Sequence, residues 1–490
     1  MKSSLVFSLI VVGAASNVSI ATAQSASTFT ATGSMTTPRS WHTATLLTNG
    51  KVLIAGGQGG DGLAVASAEL YDPSTGTFTQ TGNMTTARAA HTATLLPDGK
   101  VLITGGSNTS VLFPGLASAE LYDPSMGTFA PTGNMTTARA DHTATLLADG
   151  RVLIGGLGGA ELYDTCTGVF GAVVNAPNLL LEKTATLLTD GTVLFAAPGF
   201  GFPDAGYRYD PSIGTFDNID DDLGVVFFGH AASVLMNGKV LVSGGGDADV
   251  DVGDVLYQAE LYDAGSNTFA WTANMTECRW HHTSTLLPDG TVLIAGGDDL
   301  DHYLVSTYCI NLADAAPGRA ELYAPGTGTF SVTGSMTAPR ERHAATLLND
   351  GTVLITGGST NNIVANTAEI YQPALLIAGP RLFSLSGDGQ GQGAVWNGVT
   401  GQIVSADNPA TTGDVLSMYT TSLFEGGVIP PQVAVGGQLA EVLYFGDAPG
   451  YPGYYQVNFR VPGGIAPGSA VPVRLTYISR PSNAVTIGVQ

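Results

Sequence analysis

His91-Thr92-Ala93-Thr94-Leu95-Leu96-Pro97-Asp98-Gly99-Lys100-Val101-Leu102-Ile103-Thr104-Gly105-Gly106 decides the fold of this chain. Two apolar runs flank an Asp-Gly pair, the strongest short signal for a hairpin, because both central residues of its tight turn take positive φ. The stretch predicts a strand over His91 to Leu96, a turn, and a second strand over Lys100 to Thr104 that ends at Gly105-Gly106. After a variable loop come a third strand, Ala119 to Tyr122, the turn Asp123-Pro124-Ser125-Met126-Gly127, and a fourth strand, Thr128 to Pro131. The unit recurs. Its Leu-Leu step falls at Leu46-Leu47, Leu95-Leu96, Leu146-Leu147, Leu187-Leu188, Val234-Leu235, Leu286-Leu287 and Leu347-Leu348, which makes seven copies. Four antiparallel strands repeated every ~40 to 50 residues predict the blades of a β-propeller.

Around this array the chain runs to 490 residues, with Lys+Arg 18 against Asp+Glu 40 and a net charge of −22. Such a surface repels phosphate backbones and anionic lipids, so nucleic-acid binding is excluded as the main role. Lys2, the apolar run from Leu5 to Ala15 and Ala21-Thr22-Ala23 read as a secretory signal over residues 1–23, cut before Gln24. No later segment approaches ~18 uninterrupted apolar residues, so no transmembrane segment is expected in the mature chain. The expected location is extracellular, at the cell surface or in the periplasm.

The two ends of the array predict how the ring closes. The seventh unit stops at Tyr371-Gln372-Pro373 without a fourth strand, while an orphan Thr28-Phe29-Thr30-Ala31 precedes the first unit. The N-terminal strand is therefore expected to complete the last blade, giving a propeller over residues 24–374 with no open sheet edge. From residue 375 to 490 the repeat is gone. Alternating stretches such as Asp414 to Tyr419, Tyr454 to Val461 and Val471 to Tyr477, separated by Gly and Pro turns, predict a small antiparallel β-sandwich. The whole chain is expected to be all-β.

The repeat resembles the kelch motif: a double glycine ends the second strand, Tyr closes the third, and an aromatic sits in the fourth at Phe78, Phe129, Phe170, Phe216, Phe269 and Phe330. The stretches Ala448 to Asn458 and Ser482 to Thr486 resemble a C-terminal Ig-like domain of secreted bacterial proteins. Kelch ring followed by sandwich is similar in layout to the galactose oxidase family of copper radical enzymes. That resemblance implies a Tyr cross-linked to Cys, a Tyr-His pair entering a blade, and a His from the C-terminal domain. Here the pair aligns with Trp280-His281, and no His follows His343. The tyrosyl ligand and the last imidazole are both missing, so copper chemistry is not expected.

Function is expected on the face that carries the variable loops and at the mouth of the central channel. His42, His91, His142, His230, His282 and His343 repeat at one position, with Arg39, Arg88, Arg139, Arg279 and Arg340 three residues earlier. Residues present in nearly every blade solve a problem every blade has, so they are read as structural, together with the Glu of the third strand. Departures from the repeat carry the candidates. They are the aromatic residues Phe200, Phe202, Phe227, Phe228, Trp280, Tyr303 and Tyr308, with His281, Asp298 and Asp299. Alternating Asp247, Asp249 and Asp251 suggest a calcium loop. Of three cysteines, Cys278 and Cys309 fall on the loop face and are expected to pair, leaving Cys166 free. The expected function is non-catalytic recognition of an extracellular carbohydrate or protein. The alternatives are a carbohydrate-active enzyme that uses the same face and, further behind, a galactose-oxidase-like copper oxidase.

Overall fold

A computed structural model describes residues 27–109, 115–179, 184–196, 206–219, 229–246, 255–297 and 318–490. All the secondary structure among them is β, in seven four-stranded antiparallel sheets, one eight-stranded sheet and the two-stranded hairpin of Ser359–Thr360 and Ile363–Val364. Each four-stranded sheet is a blade. Blade 2, for example, runs Thr92–Leu95, Val101–Thr104, Ala119–Asp123 and Thr128–Pro131 from the inside outwards. The first strands of successive blades touch one another in order, and Thr43–Leu46 of blade 1 touches Ala344–Leu347 of blade 7, so the ring is closed. Thr28–Ala31 pairs with Ala368–Gln372 as the outer strand of blade 7, with Phe29 opposite Tyr371.

The second strands explain the apolar runs. Val52–Ala55 is buried at every position because both its faces meet protein. Val52 and Ile54 pack toward blade 7, whereas Leu53 and Ala55 pack toward blade 2, as the two-residue period of a strand requires. Each of the seven seams between blades is thus a small core of its own. The third-strand Tyr ties five of the seams at the outside through a Thr hydroxyl: Tyr71 packs on Phe78 and shares a hydrogen bond with Thr32, and Tyr122 does the same with Phe129 and Thr81.

The C-terminal strands differ from the two layers expected of a sandwich. Gln438–Asp447 pairs first with Gln432–Val435, up to Ala440, and then from Glu441 onward with Tyr455–Arg460, with an irregularity between Val442 and Tyr444. One long strand therefore belongs to both halves, and the eight strands form a single curled sheet around one core that includes Val395, Met418, Phe459, Val473, Leu475 and Ile487. This domain sits on the propeller face that carries the Asn-Gly and Asp-Gly hairpins, here called the lower face. Phe424 packs on Gly290, the Val428 amide donates to the Met236 carbonyl, and Ile478 reaches apolar clusters of blades 5, 6 and 7. No helix among the described residues is long and apolar enough to cross a membrane.

Candidate functional site

The repeated polar residues form staples. In blade 1 the Arg39 guanidinium donates to the carbonyls of Gly56 and Ser67 and to Glu69 at 2.8 Å, and Glu69 in turn accepts the amides of Thr36 and Thr37. Arg88–Glu120, Arg139–Glu161, Arg279–Glu321 and Arg340–Glu369 repeat this buried ion pair. The histidines join neighbouring blades: His91 Nε2 meets Thr43 Oγ1 of blade 1, and His42 Nε2 meets Thr356 Oγ1 of blade 7. Burial, reinforced by the adjacent arginines, pushes His42, His142 and His343 down to about 3, and His91 and His282 well below the ordinary value. The double glycine completes the corner. Gly56 takes φ +60, and a Cβ there would meet the Arg88 carbonyl and the His91 ring of the next blade.

The residue just before each histidine takes no part in this staple. It takes a left-handed conformation at Trp41, Ala90, Asp141, Gly229, His281 and Arg342, with φ between 51 and 62. These residues hydrogen-bond to one another through the backbone: Ala90 to Trp41, Asp141 to Ala90, His281 to Gly229, Arg342 to His281 and Trp41 to Arg342. Together they form a rim around the upper end of the channel, and their side chains converge. The rings of Trp41 in blade 1 and His281 in blade 6 meet edge-on at 5.5 Å although blade 7 lies between them.

Five side chains build the site on this rim. Arg342 lies over the Trp41 ring, 4.7 Å from its centroid. Trp280 stacks on His281 at 4.5 Å and lies against Gly229, where a Cβ would fall within the indole. Glu341 sits 3.5 Å from His281 Nδ1 and 3.6 Å from Arg342 Nε, and accepts the Ser359 hydroxyl at 3.3 Å. Burial raises the Glu341 carboxyl, but His281 and Arg342 outweigh it and hold the group below its ordinary value. The Trp280 Nε1–H is buried without a hydrogen-bond partner among the described residues. The arrangement offers indole surface, a cation and an ionised carboxylate within one mouth. Blades 2 and 3 contribute only Ala89-Ala90 and Ala140-Asp141 at the same two positions, so the site is one-sided.

Of the residues expected from the sequence, Trp280 and His281 are brought together here. Phe200, Phe202, Phe227, Phe228, Asp298, Asp299, Tyr303, Tyr308 and the aspartates 247, 249 and 251 lie outside the described residues, as do residues 1–26. Cys278 is disulfide-bonded and buried beside Val255, whereas Cys166 is free and exposed on the lower face. Cys309, the expected partner of Cys278, lies outside the described residues. Trp41, Glu341 and Arg342 were missed. The signal that marks them is positional: in five copies the two residues between the repeated Arg and the repeated His vary while those two flanks stay constant.

Comparison with known proteins bears on the fold. A kelch motif is matched over residues 42–85. The ring is a kelch-type seven-bladed propeller. A solved structure described as a novel fungal alcohol oxidase with catalytic diversity among the AA5 family, in complex with copper, is similar over 94% of this chain and 98% of that one, with a TM-score of 0.58 and 18% identity. The overall arrangement is thus galactose-oxidase-like in fold. No curated protein matches the chain.

Proposed function

We propose that this chain is an exported recognition protein that binds a carbohydrate at the upper mouth of its propeller. One observation carries the reading: Trp41, Trp280, His281, Glu341 and Arg342 gather from blades 1, 6 and 7 onto one rim. Indole surface suits the apolar face of a sugar ring, while an arginine and an ionised carboxylate suit its hydroxyls as donor and acceptor. Copper chemistry of the kind named for the fungal oxidase does not fit these residues. Trp280 stands where a phenolate would be needed, the indole offers no lone pair to a metal, and no histidine lies beyond His343. Among the described residues no three His, Cys, Asp or Glu side chains gather as a ligand set.

The test is a glycan array probed with protein lacking residues 1–23, with and without calcium, the ion proposed for the loop at Asp247, Asp249 and Asp251. Selective binding that is lost in Trp41→Ala and Trp280→Ala supports the reading. Binding that survives both variants, or a blank array, overturns it. Turnover of the bound glycan that is abolished by Glu341→Gln would replace recognition with catalysis.

A further inference from the structure

The lower end of the channel holds a second feature, unconnected with the rim. Between the inner strands and the C-terminal sheet lies a chamber of about 580 Å³. Its floor follows from strand alternation. In Gln432–Val435 and Gly468–Tyr477, residues Val433, Val435, Val473 and Leu475 turn into the core of the C-terminal domain. Their neighbours Gln432, Ala434, Arg474 and Thr476 turn the other way and line the chamber. Register places Arg474 opposite Ala434 and Thr476 opposite Gln432, so the polar groups sit side by side. The walls are mixed: Leu46, Leu95, Leu146, Leu286 and Leu347 at the ends of the inner strands give an apolar band, and Thr45, Thr94, Ser233, Ser284 and Thr346 add hydroxyl-bearing side chains beside it.

Arg474 is the one charged side chain in this lining among the described residues. Its Nε is buried without a partner, and its guanidinium makes no hydrogen bond or ion pair with the described residues. Every other arginine buried to a comparable degree is paired: five with a glutamate of their own blade, Arg342 with Glu341, and Arg480 with the Ile377 carbonyl. The partner is missing in a chain that carries Asp+Glu 40. Burial alone pushes the Arg474 pKa down, and no neighbouring carboxylate opposes it. The Thr48 hydroxyl and Arg474 Nη1 flank Gly99, 3.5 and 3.8 Å from where its Cβ would stand, so a hydroxyl and the cation face the same corner.

We propose that this chamber binds a small organic acid, with its carboxylate on Arg474 and its apolar body against the leucines. The volume falls in the roughly 300 to 1,000 Å³ range of small-molecule sites. A lone guanidinium in a protein of net charge −22 selects a monoanion over a phosphate dianion. The leucine band favours an acid with a hydrocarbon or aromatic body over an inorganic anion.

Calorimetry and thermal melts on the chain lacking residues 1–23 test this, with octanoate and benzoate as probes and octanol, benzyl alcohol and inorganic phosphate as controls. Octanoate or benzoate is expected to bind one to one and to raise the melting temperature, each at least tenfold more tightly than its alcohol. Arg474→Met should melt at or above the wild-type temperature without ligand, because it removes an unpaired buried charge, and should bind the acid at least tenfold more weakly. Arg474→Lys, which keeps the charge, should retain binding to within about tenfold. Trp41→Ala should leave it unchanged. The proposal fails if neither acid shifts the melt at about 10 mM, if the alcohols bind as well as the acids, or if Arg474→Met binds like wild type.

Discussion

The two ends of the channel are built from the same seven inner strands, yet the repeat treats them in opposite ways. At the lower end each hairpin needs positive φ, met by glycine at positions 50, 99, 150, 191, 238, 290 and 351. The preceding Asn or Asp fixes the turn further, as when Asp98 Oδ1 accepts the Lys100 amide. Turn chemistry therefore dictates the lower face. At the upper end the left-handed residue before each described histidine is held by backbone hydrogen bonds to its counterparts in neighbouring blades, so its side chain is left undefined. That freedom is what allows Trp41, His281 and Arg342 to stand where other blades have Ala90 or Gly229. Stability resides in the staples beneath the rim, and specificity in the rim itself.

Acid is expected to break the staples most severely. The described histidines of the staple are held neutral when folded, so their protonation is confined to the unfolded chain near the ordinary value of 6.5. Their full contribution is present above pH 6.5 and falls as pH drops through the window down to about 3. Well below 6.5, each such histidine costs about 1.4 kcal/mol of stability per pH unit. Urea melts at pH 7, 6 and 5 should show a steep decline. A His91→Gln protein should show a shallower slope. A flat profile would mean that the histidines are not held neutral.

Removing one arm of an ion pair ranks next. Arg88 is fully buried against Glu120, so Arg88→Met leaves a carboxylate without its cation and should cost about 3 to 5 kcal/mol in urea unfolding. Replacing Glu120 with Leu in the same protein should recover part of that loss. A cost below about 1 kcal/mol would show that the corner is held by its glycines and backbone alone.

Much of this was legible in the sequence, because the fold rests on residues with no substitutes. Asp98-Gly99 and its equivalents announce hairpins, and Gly105-Gly106 marks the corner into which the next blade packs. The Arg, His and Glu of the staple recur, which identified them as structural. The same logic hid half of the site. Trp280 and His281 stand out as a change in a regular copy, but Trp41 is a single aromatic residue in an otherwise ordinary blade. Glu341 and Arg342 read as part of a charged run with Arg340. Convergence across blades 1, 6 and 7 is a property of the closed ring, and no local pattern encodes it. The curled C-terminal sheet was hidden for a related reason: alternation predicts strands, whereas the change of partner midway along Gln438–Asp447 depends on register.

Gly229→Ala probes the boundary between staple and rim. At φ 62 an alanine costs about 1 to 2 kcal/mol, and its Cβ would occupy the space of the Trp280 indole. The expected outcome is a modest loss in the urea midpoint together with loss of glycan binding and a shifted tryptophan emission, since Trp280 must leave His281. Unchanged emission would show that the indole does not rest on this glycine.

The smallest effect on stability, and the sharpest test, comes from Trp41→Ala. The ring is half-buried on the rim and packs on Arg342 and His281, not on a seam between blades. Its backbone bonds to Arg342 and Ala90 do not depend on the side chain, and an alanine already holds the same left-handed position at Ala90. Stability should therefore change by no more than about 0.5 kcal/mol while glycan affinity falls at least tenfold. A loss of 2 kcal/mol or more would place Trp41 among the residues that hold the ring together. The upper end of the channel would then be as much a part of the staple as the lower end is of its turns.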